Sequence, residues 1–203
     1  MHCNAVLLWR CGAVARWALL STVQVNVPGS EKMKPPRYGT NPPSDIPAIV
    51  AAPGVTARVL AGPLFDRIGP FETAVKELQM IDYELAPGAS VTHTLPEGYN
   101  TCIVYSYNGT GDCSGSAMAH KSVAQVDADG GAREVLLTAG AGGMEAMLFA
   151  GKRLGEPIAW RGPIVMNTQA ELQQCFGELR RGTFPPVRVP YDYKRIATFP
   201  TRE

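Results

Sequence analysis

Three histidines, His2, His93 and His120, are the whole imidazole supply of this 203-residue chain, and no two are close in sequence. A metal gripped from a β-strand takes side chains two residues apart, because alternate residues point to one face. His93 stands in Ala89-Ser-Val-Thr-His-Thr-Leu95, so the position two residues on is Leu95 and not a second histidine. First-row metals in such sites need imidazole and carboxylate ligands clustered in fixed geometry. The set the chain offers is His93 and His120 with a carboxylate such as Glu97. A lone strand histidine is more often a surface or hydrogen-bonded residue than a ligand. No metal or other cofactor is therefore expected in this chain.

The other reactive side chains are equally scattered. Cys3, Cys11, Cys102, Cys113 and Cys175 are odd in number and form no C-x-x-C, so zinc spacing is absent. Free thiols in a reducing compartment are the expectation. Cys102 and Cys113 could face each other across a hairpin, and the sequence leaves their disulfide state open. A Cys–His pair would need Cys102 or Cys113 beside His120. Cys102 reads as part of an apolar strand and Cys113 as part of a turn, with no catalytic signature around either. No catalytic residue is assigned. Gly109-Thr-Gly-Asp-Cys-Ser-Gly115 lacks the lysine and following helix of a phosphate loop and reads as a hairpin loop. Asn108-Gly-Thr110 has the glycosylation acceptor pattern, which matters only in a secreted chain. Tyr83, Tyr105, Tyr107 and Phe149 are expected to fill a core, with a small-ligand pocket as the alternative.

The elements that would position these residues are mostly strands. Val55 to Ala61 is a short apolar run. Gln79 to Leu85 alternates, with Ile81, Tyr83 and Leu85 on one face and Asp82 and Glu84 on the other, which predicts a half-buried strand. Ala89 to Leu95 follows. Thr101 to Tyr107 is rich in β-branched and aromatic residues and runs into Asn108-Gly109, a hairpin-turn signal. Ser122 to Val126, Arg133 to Leu137 and Met144 to Phe149 complete the set, separated by glycine-rich turns. Many short strands point to an all-β sandwich or barrel. One helix stands apart. Thr168-Gln-Ala-Glu171 has the capping-box form, Leu172, Cys175 or Phe176 and Leu179 recur at helical spacing, and Gly182 is the expected stop. Its apolar face is expected to lie on the barrel.

Hydrophobic residues make up 45% and charged residues 18%, which excludes disorder throughout. Formal net charge is +1, so direct nucleic-acid binding has no electrostatic basis in the composition. Residues 1–22 carry Arg10 and Arg16 and no acid, the first acidic residue being Glu31. They read as a leader, either a mitochondrial-type targeting segment or a misplaced start. They are too short and interrupted for a membrane span of about 20 apolar residues. Residues 23–45 read as a Pro-rich connector, 46–184 as the folded domain, and 185–203, with Pro185, Pro186, Pro190 and Pro200, as an irregular tail.

Several of these stretches resemble one family. Ala150 to Pro157 and Gly162 to Thr168 are similar to the A-G-x-P-L-x-E-P run and the G-P-F-V-M-N-T run that end the C-terminal domain of pirins. Asp82-Tyr-Glu-Leu-Ala-Pro-Gly88 and Pro96-Glu-Gly-Tyr99 resemble two turns of that domain. Val25 to Met33 and Pro36-Arg-Tyr38 resemble the segment joining the two pirin domains. The likeness runs from about Val23 to about Phe184. It implies a cupin fold, a double-stranded β-helix or jelly-roll-like barrel, with one C-terminal helix. Pirins carry two such domains, and the N-terminal one holds an iron through three histidines and a glutamate. That domain would precede Val23. The resemblance thus implies a metal-free domain with a regulatory or protein-interaction role. Its partner would be another cupin domain, a separate protein or a second copy, met through an apolar patch. Cytoplasmic or nuclear placement follows from the family, beside the mitochondrial alternative from residues 1–22. The second functional reading is part of a metal-dependent quercetin 2,3-dioxygenase-type pirin whose N-terminal catalytic half is missing from this chain.

Overall fold

The computed structural model describes residues 5–10, 20–34, 41–71, 77–128 and 130–185. They fall into two compact units, Pro43–Arg153 and a second made of Met1–Pro42 with Leu154–Glu203. The first unit is a β-barrel of cupin type. Its strands are β3 (Ala48–Ala52), β4 (Val55–Ala61), β5 (Pro63–Leu64), β6 (Arg67–Ile68), β7 (Leu78–Leu85), β8 (Ser90–Thr94), β9 (Thr101–Cys113), β10 (Ser116–Met118), β11 (Ser122–Val126) and β12 (Glu134–Gly151). The main sheet runs β10-β9-β12-β7-β4-β3, with β11 also on β9 and β8 also on β12.

Two long strands build both walls. The first part of β12, Glu134–Thr138, pairs with β8, while Met144–Gly151 pairs with β7. β9 accompanies it through both parts, with register shifts between Ala139 and Met144 and between Glu145 and Ala146. The expectations of a hairpin turn at Asn108-Gly109, of a hairpin loop over Gly109–Gly115, and of two separate strands at Arg133–Leu137 and Met144–Phe149 are corrected here. The chain does not turn at Gly109; it bends there and stays in the sheet as far as Cys113, and the tight turn falls at Ser114-Gly115. Gly109 has φ +72°, and a Cβ on it would collide with the Gly143 carbonyl. Glycine at this corner brings two bent strands together instead of ending them.

The barrel interior takes the inward residues of both walls. Val55, Ala57 and Val59 of β4, Ile81, Tyr83 and Leu85 of β7, Val91 of β8, Cys102 and Val104 of β9, and Leu137, Ala146 and Leu148 of β12 form one buried cluster. The sequence pattern of β7 suggested one wet face. The structure buries seven of its eight residues, Asp82 and Met80 among them, and leaves only Glu84 exposed. Alternation reports which side chains share a face and is silent on whether the polar face is covered.

In the other unit, β1 (Ala5–Arg10) pairs antiparallel with β2 (Leu20–Val25), so the stretch read as a leader contributes a strand. Residues 35–40 of the connector and 186–203 of the tail lie outside the described residues. β13 (Ala159–Arg161) and β14 (Ile164–Met166) form a hairpin, and α1 (Gln169–Arg181) follows. Thr168 caps α1: its hydroxyl accepts from the Glu171 N–H at 3.2 Å, and the Glu171 carboxylate accepts from the Thr168 N–H at 2.8 Å. Gly182 ends the helix in the left-handed region at φ 71°. Leu172 and Cys175 of α1 pack with Ala159, Ile164, Met166 and Phe184. The helix's apolar face packs against its own hairpin. Three of the runs that carried the family resemblance meet at Glu156, whose Oε2 accepts from the Gly29 N–H at 2.8 Å and from Asn167 Nδ2 at 2.7 Å. These bonds join the connector to the segment before α1.

Candidate functional site

The burial of β8 alternates, which turns Val91 and His93 inward. His93 is 1% exposed. Its Nδ1 lies 2.8 Å from the Tyr83 hydroxyl and its Nε2 lies 3.2 Å from Gln79 Oε1. Tyr83 and Gln79 are both inward residues of β7, four apart, so the imidazole reaches across the barrel from one wall to the other. The Tyr83 ring meets it edge-on, at 80° and 6.0 Å between centroids. Gln79 Nε2 donates to the Pro63 carbonyl, which orients the amide. Proton positions follow from this: Oε1 must accept, so Nε2 of His93 carries the proton, and Nδ1 accepts from Tyr83. Every polar atom of the imidazole is satisfied in the neutral form. Burial pushes His93 down to about 4 and the Tyr83 phenol well above its ordinary value.

The other two nominated residues do not join it. Glu97 is exposed in the turn after β8, and His120 is exposed in the turn between β10 and β11. Leu95, where a second histidine would complete an H-x-H pair, is an apolar residue of the core at 1% exposure. Among the described residues no three His, Cys, Asp or Glu side chains converge. The described residues do not fit a resident metal ion. Among those described, the barrel interior supplies one imidazole and no carboxylate, and both nitrogens of that imidazole are already engaged. The Cys–His idea fails on placement, since Cys102 and Cys113 are buried and His120 is exposed. Both thiols are free and lie on one strand, β9, not across a hairpin. Burial, then the neighbouring Cys113, pushes the Cys102 thiol up to about 12, and burial likewise raises Cys113. Neither is a thiolate near neutrality, so neither is an activated nucleophile.

A second buried polar cluster escaped the sequence reading. Asp82 points away from Tyr83 and is 0% exposed. It accepts from the Tyr107 hydroxyl at 2.7 Å and lies 3.5 Å from Arg58, whose other nitrogen donates to Glu84 at 2.8 Å. Register explains the meeting, because Asp82 lies opposite Arg58 on β4 and Met147 on β12. Burial pushes the Asp82 carboxyl up to about 6, against the pull of Tyr107 and Arg58. The signal was present in the sequence as an aspartate in an apolar strand, and the wet-face reading of β7 concealed it. Gln79 was invisible for a different reason, since nothing local tells which buried polar residue will meet a histidine from another strand.

Comparison with known proteins gives one consistent answer. The pirin C-terminal cupin domain profile matches residues 80–185. Pirin-1 of Arabidopsis thaliana is 31% identical over 158 residues, 76% of this chain and 54% of that protein. Pirin of Homo sapiens is 29% identical over 161 residues, 77% of this chain and 53% of that protein. Among solved structures, a quercetin 2,3-dioxygenase from Acinetobacter baumannii superposes with a TM-score of 0.72 at 29% identity, over 80% of this chain and 56% of the other. The chain spans between 50% and 65% of the length of these and the other curated relatives it matches. Among the described residues no helix is long and apolar enough to cross a membrane.

Proposed function

The chain belongs to the pirin family, and from that premise we propose that its cupin barrel is a regulatory or protein-interaction module that carries no metal of its own. The observation behind this reading is the closed set Tyr83–His93–Gln79. A histidine whose two nitrogens are taken by a phenol and an amide, inside an apolar core, braces the barrel and is not poised to bind a ligand. The partner in this reading is another cupin domain, a separate protein or a second copy of the chain, and the setting is the cytoplasm or nucleus. Elemental analysis of the purified chain tests it. Iron, nickel and copper are each expected well below one equivalent. Stoichiometric metal that is lost on His93→Gln or His120→Gln would refute the reading.

A second reading is favoured by the likeness to the Acinetobacter baumannii enzyme, of which the chain covers 56%. In it the chain corresponds to one part of a quercetin 2,3-dioxygenase-type pirin whose metal chemistry belongs to another domain. The chain alone is then expected to leave quercetin unoxidised in the presence of oxygen and added iron. Turnover by the chain alone, abolished by His93→Gln, would overturn both readings together.

A further inference from the structure

We propose that the β5–β6 hairpin is a lid over one end of the barrel, and that Gln79 is the latch that ties the hydrogen bonding of His93 to lid closure. β4 ends at Ala61, β7 begins at Leu78, and Ala61 lies opposite Met80, so the hairpin between them stands at that end of the wall. β5 and β6 pair with each other and lie off the main sheet. Of residues 63–68 only Leu64 is buried, and it joins the cluster inside the barrel. Phe65 and Ile68 are 70% and 74% exposed. Phe65 also holds φ 51°, a left-handed value that favours glycine, so the tip is strained as well as unpacked.

The neck of the hairpin is tight. The Gly69 N–H donates to the Gly62 carbonyl at 2.9 Å, and a Cβ on either glycine would collide with backbone, that of Leu78 at Gly62 and that of Leu60 at Gly69. Beyond the neck, among the described residues, the hairpin is tied down by the Leu64 side chain and by the hydrogen bond from Gln79 Nε2 to the Pro63 carbonyl. An element with so little buried contact opens at a smaller free-energy cost than the sheet it lies on. Gln79 joins that tie to the inner cluster. It is 2% exposed, and its amide is engaged at both ends, Nε2 on Pro63 and Oε1 on His93 Nε2 at 3.2 Å. Lifting Pro63 leaves a buried donor without its acceptor, which is costly. The amide then turns toward water and carries Oε1 with it, so His93 Nε2 loses its partner in the same step. The closed set Tyr83–His93–Gln79 thus belongs to the lidded barrel, and the open form presents the imidazole N–H to solvent. This device goes beyond the interaction reading and holds whichever partner the barrel has.

Native-state hydrogen exchange of the full chain, followed by NMR in low urea, tests it. The Gly69 amide and the His93 Nε2 proton are expected to be protected about a hundredfold less than the Leu148 amide. Their rates are expected to stay flat in urea where the Leu148 rate climbs. Leu64→Ala loosens the lid and is expected to speed Gly69 and the His93 proton by one common factor of about ten or more. Ile81→Val weakens the core beneath the lid and is expected to speed Leu148 while leaving the other two unchanged. A wild-type Gly69 amide that follows Leu148 in its urea dependence overturns the lid, because the hairpin then opens only with the barrel. That result needs neither variant. A His93 proton unmoved by Leu64→Ala, while Gly69 quickens, overturns the latch.

Discussion

Asp82 and Tyr83 are adjacent on β7, face opposite sides of it, and are buried by opposite strategies. On the inner side Tyr83, His93 and Gln79 are all neutral, and each donor of the set has an acceptor. On the outer side a carboxyl is buried with a phenol and a partly shared guanidinium, and its desolvation outweighs both. A complete neutral network ties two walls together and is indifferent to pH near neutrality. An incompletely compensated charge is a liability that titrates. The contrast shows that burial of a polar side chain is not by itself a mark of a reactive site. Here the inner cluster is the one whose hydrogen bonds are closed.

The largest test of that contrast is His93→Ala. It opens a cavity and strands both the Tyr83 hydroxyl and the Gln79 carbonyl, so a loss of about 4 kcal/mol is expected from urea denaturation at pH 7. A loss below about 1 kcal/mol would show that the inner cluster does not brace the barrel.

The pH dependence separates the two sides by sign. Asp82 titrates near 6 in the folded chain and near 3.8 when unfolded. Between those values the folded state holds a proton that the unfolded state has lost, so this group's contribution falls as pH rises from about 4 to about 6. His93 titrates near 4 when folded and near 6.5 when unfolded. The unfolded state takes that proton first, so its contribution falls as pH drops from about 6.5 to about 4. Each effect amounts to about 3 kcal/mol across its window, and the two oppose each other. Asp82→Asn is expected to unmask a stability that declines toward acid, and His93→Gln one that declines toward neutral. Denaturation midpoints at half-unit pH steps check this, and slopes of one sign in both variants would break the comparison.

The smallest effect sharpens it. Tyr107→Phe removes a hydrogen bond that favours the Asp82 carboxylate. The expected loss is about 1–2 kcal/mol at pH 7 and less at pH 5, where the carboxyl is mostly protonated. An equal loss at both pH values, again from urea curves, would mean that Tyr107 stabilises the fold independently of that charge.

Local signals placed several elements correctly. Val55–Ala61 and Ser122–Val126 are strands with the expected bounds, and Thr168, Glu171 and Gly182 delimit α1 as expected. These signals act over a few residues, through alternation, a cap and a left-handed glycine, so a sequence can express them unaided. The family was legible in the same way, from runs such as Gly162 to Thr168. So was the shortage of imidazole, which is a property of composition.

What needed the tertiary structure was every question about who stands on the far side. A glycine at positive φ ends a strand or bends it according to what pairs with the residues around it. Gly109 bends β9 because β12 follows it through the corner. The outer face of β7 is buried although its alternation looks amphipathic, and Asp82 finds Arg58 through a register that no local pattern encodes. His93 and Gln79 are 14 residues apart and meet across the barrel. Periodicity determines the direction of a side chain from its own backbone; its partner and its charge state depend on strands brought together from elsewhere in the chain.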